Sequence, residues 1–191
     1  MSALKNEIRV LGIDDGQFVF RSNSQVLVVG VIFRGGLWLE GVISTTITVD
    51  GLDATQKINQ MIVSSPYYRQ LRVILLSGLT FGGFNVVDIN ELYKKTSIPV
   101  IVITQKMPQT ESVKQALSNL SNSEIRWQNI LNAGEIITLN AKLGKQQIYA
   151  ELAGITKDAA QKVINLSSTR SNIPEALRVA HLIASGMPYL E

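Results

Sequence analysis

Two strand-sized apolar runs end in polar groups of different kinds, and this restricts the folds open to the chain. The first, Ile8-Arg9-Val10-Leu11-Gly12-Ile13, runs into Asp14 and Asp15. The second, Arg72-Val73-Ile74-Leu75-Leu76, runs into Ser77 and the glycine-rich turn Gly78-Leu79-Thr80-Phe81-Gly82-Gly83-Phe84-Asn85. Strands this apolar belong inside a sheet, and if the two are neighbours their ends form a polar pocket over it. Residue 77 is pivotal, because a carboxylate there would complete a divalent-metal site and this chain has a serine.

The remaining elements favour that neighbourhood. Val26 to Phe33 is a continuous apolar run, the pattern of a strand buried on both faces. Arg34-Gly35-Gly36 supplies a tight turn, and Leu37 to Val49 returns with aromatic and β-branched residues. The period then becomes helical, with Leu52, Ile58, Met61 and Ile62 on one face and Asp53 as the expected N-cap. A helix is predicted from about Val86 to Lys95, a strand over 99–103, and helices over 110–120 and 123–131. Two short strands, 135–139 and 146–150, pair around a turn near Gly144. Thr156 caps a helix to Leu166, and Asn172 caps the last helix with Glu175 as its capping-box partner.

Three antiparallel strands, a crossover helix, a parallel strand, a second helix and another parallel strand give an α/β, ribonuclease H-like mixed sheet flanked by helices. The right-handed crossover rule sets the strand ending at Ser77 beside the one ending at Asp14. Ligands of such sheets collect at the carboxyl ends of neighbouring strands. A dinucleotide-binding fold would instead open with a parallel unit and a glycine fingerprint, and this chain has neither.

Composition narrows the chemistry. The 191 residues suit one domain, 1–191, and 46% hydrophobic against 17% charged residues argues against disorder. The apolar runs stop well short of the roughly 20 residues of a membrane helix, and residues 1–7 lack a signal-peptide pattern, so a cytoplasmic protein is expected. With no cysteine and a single histidine, His181, thiolate chemistry and paired-imidazole chemistry are excluded. A net charge of +3 is a mild bias towards polyanions.

Successive strand residues face opposite ways, so Asp14 is chosen as the inward carboxylate, with Asp15 beside it. Asp50, where the third strand meets the first helix, is the expected second ligand, because magnesium takes one or two carboxylates plus water and substrate phosphate. Asp53, Ser77 and Asp88 are further pocket candidates, with Asp88 placed in the first turn of its helix. The turn offers backbone amides to a phosphate, with Gly78, Thr80, Gly82, Gly83 and Asn85 as nucleic-acid contacts. Arg170, in the polar loop Ser167-Ser168-Thr169-Arg170, is another. It does not match the Walker spacing. Phe81 and Phe84 read as base-stacking residues or core plugs, and His181 as structural.

Together, Ile13-Asp14-Asp15-Gly16, Thr48-Val49-Asp50-Gly51-Leu52-Asp53-Ala54-Thr55, the segment from Leu76 to Asp88, and Asn172-Ile173-Pro174-Glu175-Ala176-Leu177-Arg178-Val179-Ala180-His181 resemble an archaeal family related to endonuclease V. Some of its members are described as endonucleases acting at deoxyuridine in DNA. The resemblance implies a divalent-metal-dependent endonuclease, using magnesium or manganese, on DNA with a deaminated base. Asp14 matches the metal carboxylate ending the first strand, and Asp50 before Gly51 matches the second acidic position. Ser77 stands where endonuclease V has an aspartate. That enzyme's histidine before the penultimate helix has no counterpart near 154–156, and its tyrosine-containing wedge none near 45–48. A neutral hydroxyl removes a unit of charge from a magnesium site, so a weakened or inactive nucleic-acid-binding module of the same fold is the alternative.

Overall fold

The computed structural model describes residues 7–19, 24–141 and 146–188. The expected opening meander is present as β1 (Arg9–Asp15), β2 (Gln25–Arg34) and β3 (Trp38–Thr48), paired antiparallel in sequence order. Helix α1 (Ala54–Val63) crosses over to β4 (Leu71–Leu76), which lies parallel to β1, with Ile13 beside Leu76. The two ends singled out by the sequence are therefore adjacent, and the Ser77 amide donates to the Ile13 carbonyl at 3.1 Å.

The glycine-rich turn folds into a small hairpin, β5 (Thr80–Phe81) and β6 (Asn85–Val86), before α2 (Ile89–Thr96). Strand β7 (Val100–Thr104) is parallel to β4. After α3 (Thr110–Leu117) and α4 (Ser123–Asn132), β8 (Ile137–Asn140) and β9 (Gln147–Ala153) pair antiparallel. Strand β9 docks antiparallel on β7, completing a seven-stranded sheet in the order β3-β2-β1-β4-β7-β9-β8. The expected hairpin is thus found, while its turn near Gly144 lies outside the described residues. Helices α5 (Lys157–Ser167) and α6 (Glu175–Ser185) complete the order. Among the described residues no helix is long and apolar enough to cross a membrane.

Alternation along β1 divides the core in two. Leu11 and Ile13 belong to the cluster under α1 and α2, whereas Val10 belongs to the cluster under α5 and α6. Gly12 shares Val10's side, and a Cβ there would stand 2.4 Å from the Ala176 carbonyl carbon. The stripe Ala176, Ala180, Ala184 is fully buried, so α6 lies almost on the strand backbone. Helix and strand run the same way, since a Cβ on Gly16 would meet the Ala184 carbonyl oxygen at 3.0 Å.

Several local expectations are corrected. Asp53 occupies the N-cap position of α1 without capping it by its side chain. The buried Asn85 accepts from the Ala54 amide in its place, at 3.0 Å, and donates to Asp53 at 2.6 Å. Leu52 is exposed ahead of the helix rather than on its buried face. The helix expected from Val86 begins at Ile89, because 85–86 is used in the hairpin, and Asp88 is its N-cap, accepting from the Asn90 and Glu91 amides. Helix α3 ends at Leu117, short of Leu120. The capping box at Asn172 does not form: α6 starts at Glu175, whose carboxylate accepts from the Arg170 amide and binds Arg178. Thr156 caps α5 as expected.

Candidate active site

Asp14 ends β1 on the α6 side. From residues 176–177, opposite Gly12, to His181 is four to five helical residues, about 6 to 7.5 Å of rise. From Gly12 to Asp14 is two strand residues, about 6.6 Å. The matched rises bring His181 over Asp14, and its Nδ1 lies 2.9 Å from Asp14 Oδ2. Asp14 Oδ1 accepts from the Asp15 amide at 3.0 Å, and the Ser77 side chain stands near enough to favour the ionised carboxylate.

The environment is asymmetric. Asp14 is 5% exposed, whereas the His181 side chain is 65% exposed. Burial pushes the Asp14 carboxyl above its ordinary range, opposed by the Asp15 amide, His181 and Ser77. A group in this state favours a cation, and the imidazole supplies one only when protonated. With Asp14 ionised, Nδ1 carries the proton and donates it, leaving Nε2 open on the exposed side.

Asp15 faces the other way, as alternation requires. Its Oδ2 accepts from the Gly82 amide at 2.6 Å, and burial pushes its pKa up to about 6, with Asp14's charge adding to the rise. The Gly82 carbonyl accepts from the Asp50 amide at 2.8 Å, and Asp50 Oδ1 accepts from the Phe84 amide at 2.9 Å. Asp50 is left-handed, with φ 50°, and a Cβ on Gly83 would stand 2.4 Å from Asp50 Oδ1. Glycine is required there by this close approach as well as by its φ of 88°.

His181 holds the Asp14 carboxylate at the carboxyl end of β1 with the Ser77 side chain beside it, and the hairpin holds the Asp50 carboxylate at the Phe84 amide. The Gly82 amide, expected for a phosphate, and the neighbouring Phe84 amide are committed to the protein's own carboxylates. Asn85 is fully buried and Phe81 is a core plug, so neither is a nucleic-acid contact. Asp53 accepts from Thr48 and Asn85, and Asp88 serves α2. Arg170 is exposed, as a contact residue should be.

Two residues were missed by sequence reasoning. His181 looked solitary because its partner is 167 positions away; the available signal was Gly12 facing an alanine stripe spaced i, i+4, i+8. Arg126 is 2% exposed, and its guanidinium donates to the carbonyls of Asp50, Gly51, Phe84 and Ser121. It binds α4 to both loops of the hairpin region, and no sequence motif announces it.

The side chains at the site limit how the implied divalent ion could be held. Among the described residues no three His, Cys, Asp or Glu side chains are grouped as a metal cluster. The Asp14 carboxylate with the Ser77 hydroxyl fits one magnesium-type ion that takes its other oxygens from water and a substrate phosphate. It does not fit a two-ion centre, whose ions stand about 3.5 to 4 Å apart.

Comparison with known proteins agrees with this architecture. A UPF0215 protein of the archaeon Methanosarcina acetivorans is 50% identical over 188 residues, 98% of this chain and 94% of the relative. A crystal structure of a protein of unknown function from Archaeoglobus fulgidus is similar with a TM-score of 0.84 and 40% identity, over 93% of this chain and 96% of that one. Endonuclease V of Ciona intestinalis, crystallised with a 24mer DNA containing an inosine followed by a ribo-adenosine, shares the fold at a TM-score of 0.59 and 12% identity, over 91% of this chain and 82% of that one. The family model described as Endonuclease dU matches residues 6–187, and the chain belongs to that family.

Proposed function

We propose that the protein is a divalent-metal-dependent endonuclease that cuts DNA at a deaminated base, deoxyuridine being the substrate suggested by the family's description. The observation that carries the reading is the Asp14–His181 contact at the carboxyl end of β1, beside Ser77. A bound magnesium or manganese ion would supply charge neutralisation at the scissile phosphate. Asp14 would hold that ion, and it orients the imidazole through Nδ1. His181, gripped at Nδ1, is free to give or take a proton at Nε2 during phosphodiester hydrolysis. Asp50 accepts from the Phe84 amide through Oδ1 and holds the hairpin; in this reading it serves there and not as the second ligand that its place before the first helix and the resemblance suggest.

The test is incubation of the pure protein with a uracil-containing oligonucleotide and magnesium or manganese. Nicking that disappears in Asp14→Ala and His181→Ala supports the reading. Absence of cleavage on uracil and inosine substrates removes it.

One observation favours a second reading. Position 77 offers a hydroxyl where a second carboxylate beside Asp14 would strengthen the ion's hold, which suits a module that binds nucleic acid without cutting it. DNA binding indifferent to Asp14→Ala, with no cleavage, selects that reading.

A further inference from the structure

We infer that a nucleic-acid strand leaves the Asp14–Ser77 site along a trough between the loop after β7 and the loop before α6. The inference rests on the nuclease reading and adds to it the path of the bound strand.

Two hollows adjoin on the α6 side of the sheet. One, of about 570 Å³, is lined by Ser77, Lys106, Met107 and Leu177 among others. The other, of about 410 Å³, is bounded by Arg170, Asn172 and Arg178. Both include Gln105 and Ile173, so the two hollows share a wall and together make the trough.

The channel's chemistry is one-sided. Lys106, Arg170 and Arg178 line it, and among the described residues no carboxylate does. The acid nearest in sequence, Glu175, is 2% exposed and fully engaged with Arg178 and the Arg170 amide. Among the described residues, neither the Lys106 ammonium nor the Arg170 guanidinium has an ion-pair or hydrogen-bond partner. Met107, Ile173 and Leu177 give the walls apolar surface. Free cations spaced along a partly apolar trough suit alternating phosphates and sugar or base faces. The glycine hairpin offers less, since its Gly82 and Phe84 amides already serve Asp15 and Asp50.

The experiment measures binding of a fluorescein-labelled single-stranded 12mer in EDTA, across a salt series. Lys106→Ala and Arg170→Ala should each raise Kd about fivefold to tenfold and reduce the salt slope by about 0.7. Lys94→Ala, on α2 across the sheet, should change neither. Wild-type affinity and slope in both cation variants overturns the path, as does equal displacement of the oligonucleotide by polyglutamate. Cleavage by the wild type that is lost in His181→Ala, while the cation variants bind unchanged, overturns the path alone. Cation-dependent binding without wild-type cleavage of any substrate overturns the nuclease reading alone.

Discussion

Gly12 lies directly beneath the Ala176 peptide, close enough that a Cβ would stand 2.4 Å from its carbonyl carbon, and this contact sets where His181 stands. A methyl group there must lift α6 from β1. Gly12→Ala should destabilise the fold by about 3 kcal/mol, the upper end for overpacking. It should also lower cleavage more than stability explains, because His181 moves with the helix. Denaturant titration and turnover at a temperature where the variant remains folded check both parts.

The two carboxylates at positions 14 and 50 should separate by function. Asp14→Asn keeps the shape and removes the charge, so cleavage should fall by roughly 10²-fold or more, and His181→Ala by roughly 10² to 10⁴. Asp50→Asn retains an oxygen for the Phe84 amide and should keep activity within about threefold. Equal losses in Asp14→Asn and Asp50→Asn would show that Asp50 is a ligand after all.

Ser77→Asp would set a second carboxylate beside the buried Asp14. Without metal, two like charges should lower the melting temperature, a loss of about 1 to 2 kcal/mol. Manganese should reverse that loss and stabilise the variant more than the wild type. A thermal melt in EDTA and in manganese reads the difference directly.

The hydrogen bonds of Arg126 among the described residues all go to carbonyls, and truncation strands them. Arg126→Met should cost about 4 kcal/mol, from several buried carbonyls at roughly 1 to 3 kcal/mol each. Hydrogen exchange should quicken over 78–86 before it quickens in β1 or β4. Arg126→Lys should rescue only part, since an ammonium cannot span the same carbonyls.

Glu151 is buried on β9, with Oε2 unpartnered, and burial pushes its carboxyl up to about 7. The folded state then binds a proton more tightly than the unfolded chain, whose value is 4.5. Its contribution to stability is complete below pH 4.5 and is lost as pH rises through about 7. Glu151→Gln should therefore stabilise the protein on the order of 3 kcal/mol at pH 8 and very little at pH 4.5. Melting temperatures across that range test the sign.

The sheet was legible because its signals are local. Apolar runs at Val10–Ile13, Val28–Ile32 and Val73–Leu76 declare strands buried on both faces, and the order of elements with the crossover rule sets β4 beside β1. The site was only half legible. Asp14 and Ser77 follow from strand ends, but the His181 contact depends on how closely α6 approaches, which is written in Gly12 and three alanines far away. Asp53 and Asn85 show another limit. Each is a good cap, and only the hairpin's placement decides that Asn85 caps α1 while Asp53 steadies Thr48. Glu175 looks like a capping-box residue until Arg170 and Arg178 claim it. The Gly82–Gly83 pair reads as a phosphate cradle until its neighbours are known.

Gly82 gives its amide to Asp15 and receives the Asp50 amide at its carbonyl, so a single residue clasps the tips of two strands that are not themselves neighbours. That clasp works as a hoop around the upper edge of the sheet. Slackening it at either carboxylate should let both strand tips drift together, so damage at one position would surface as disorder at the other.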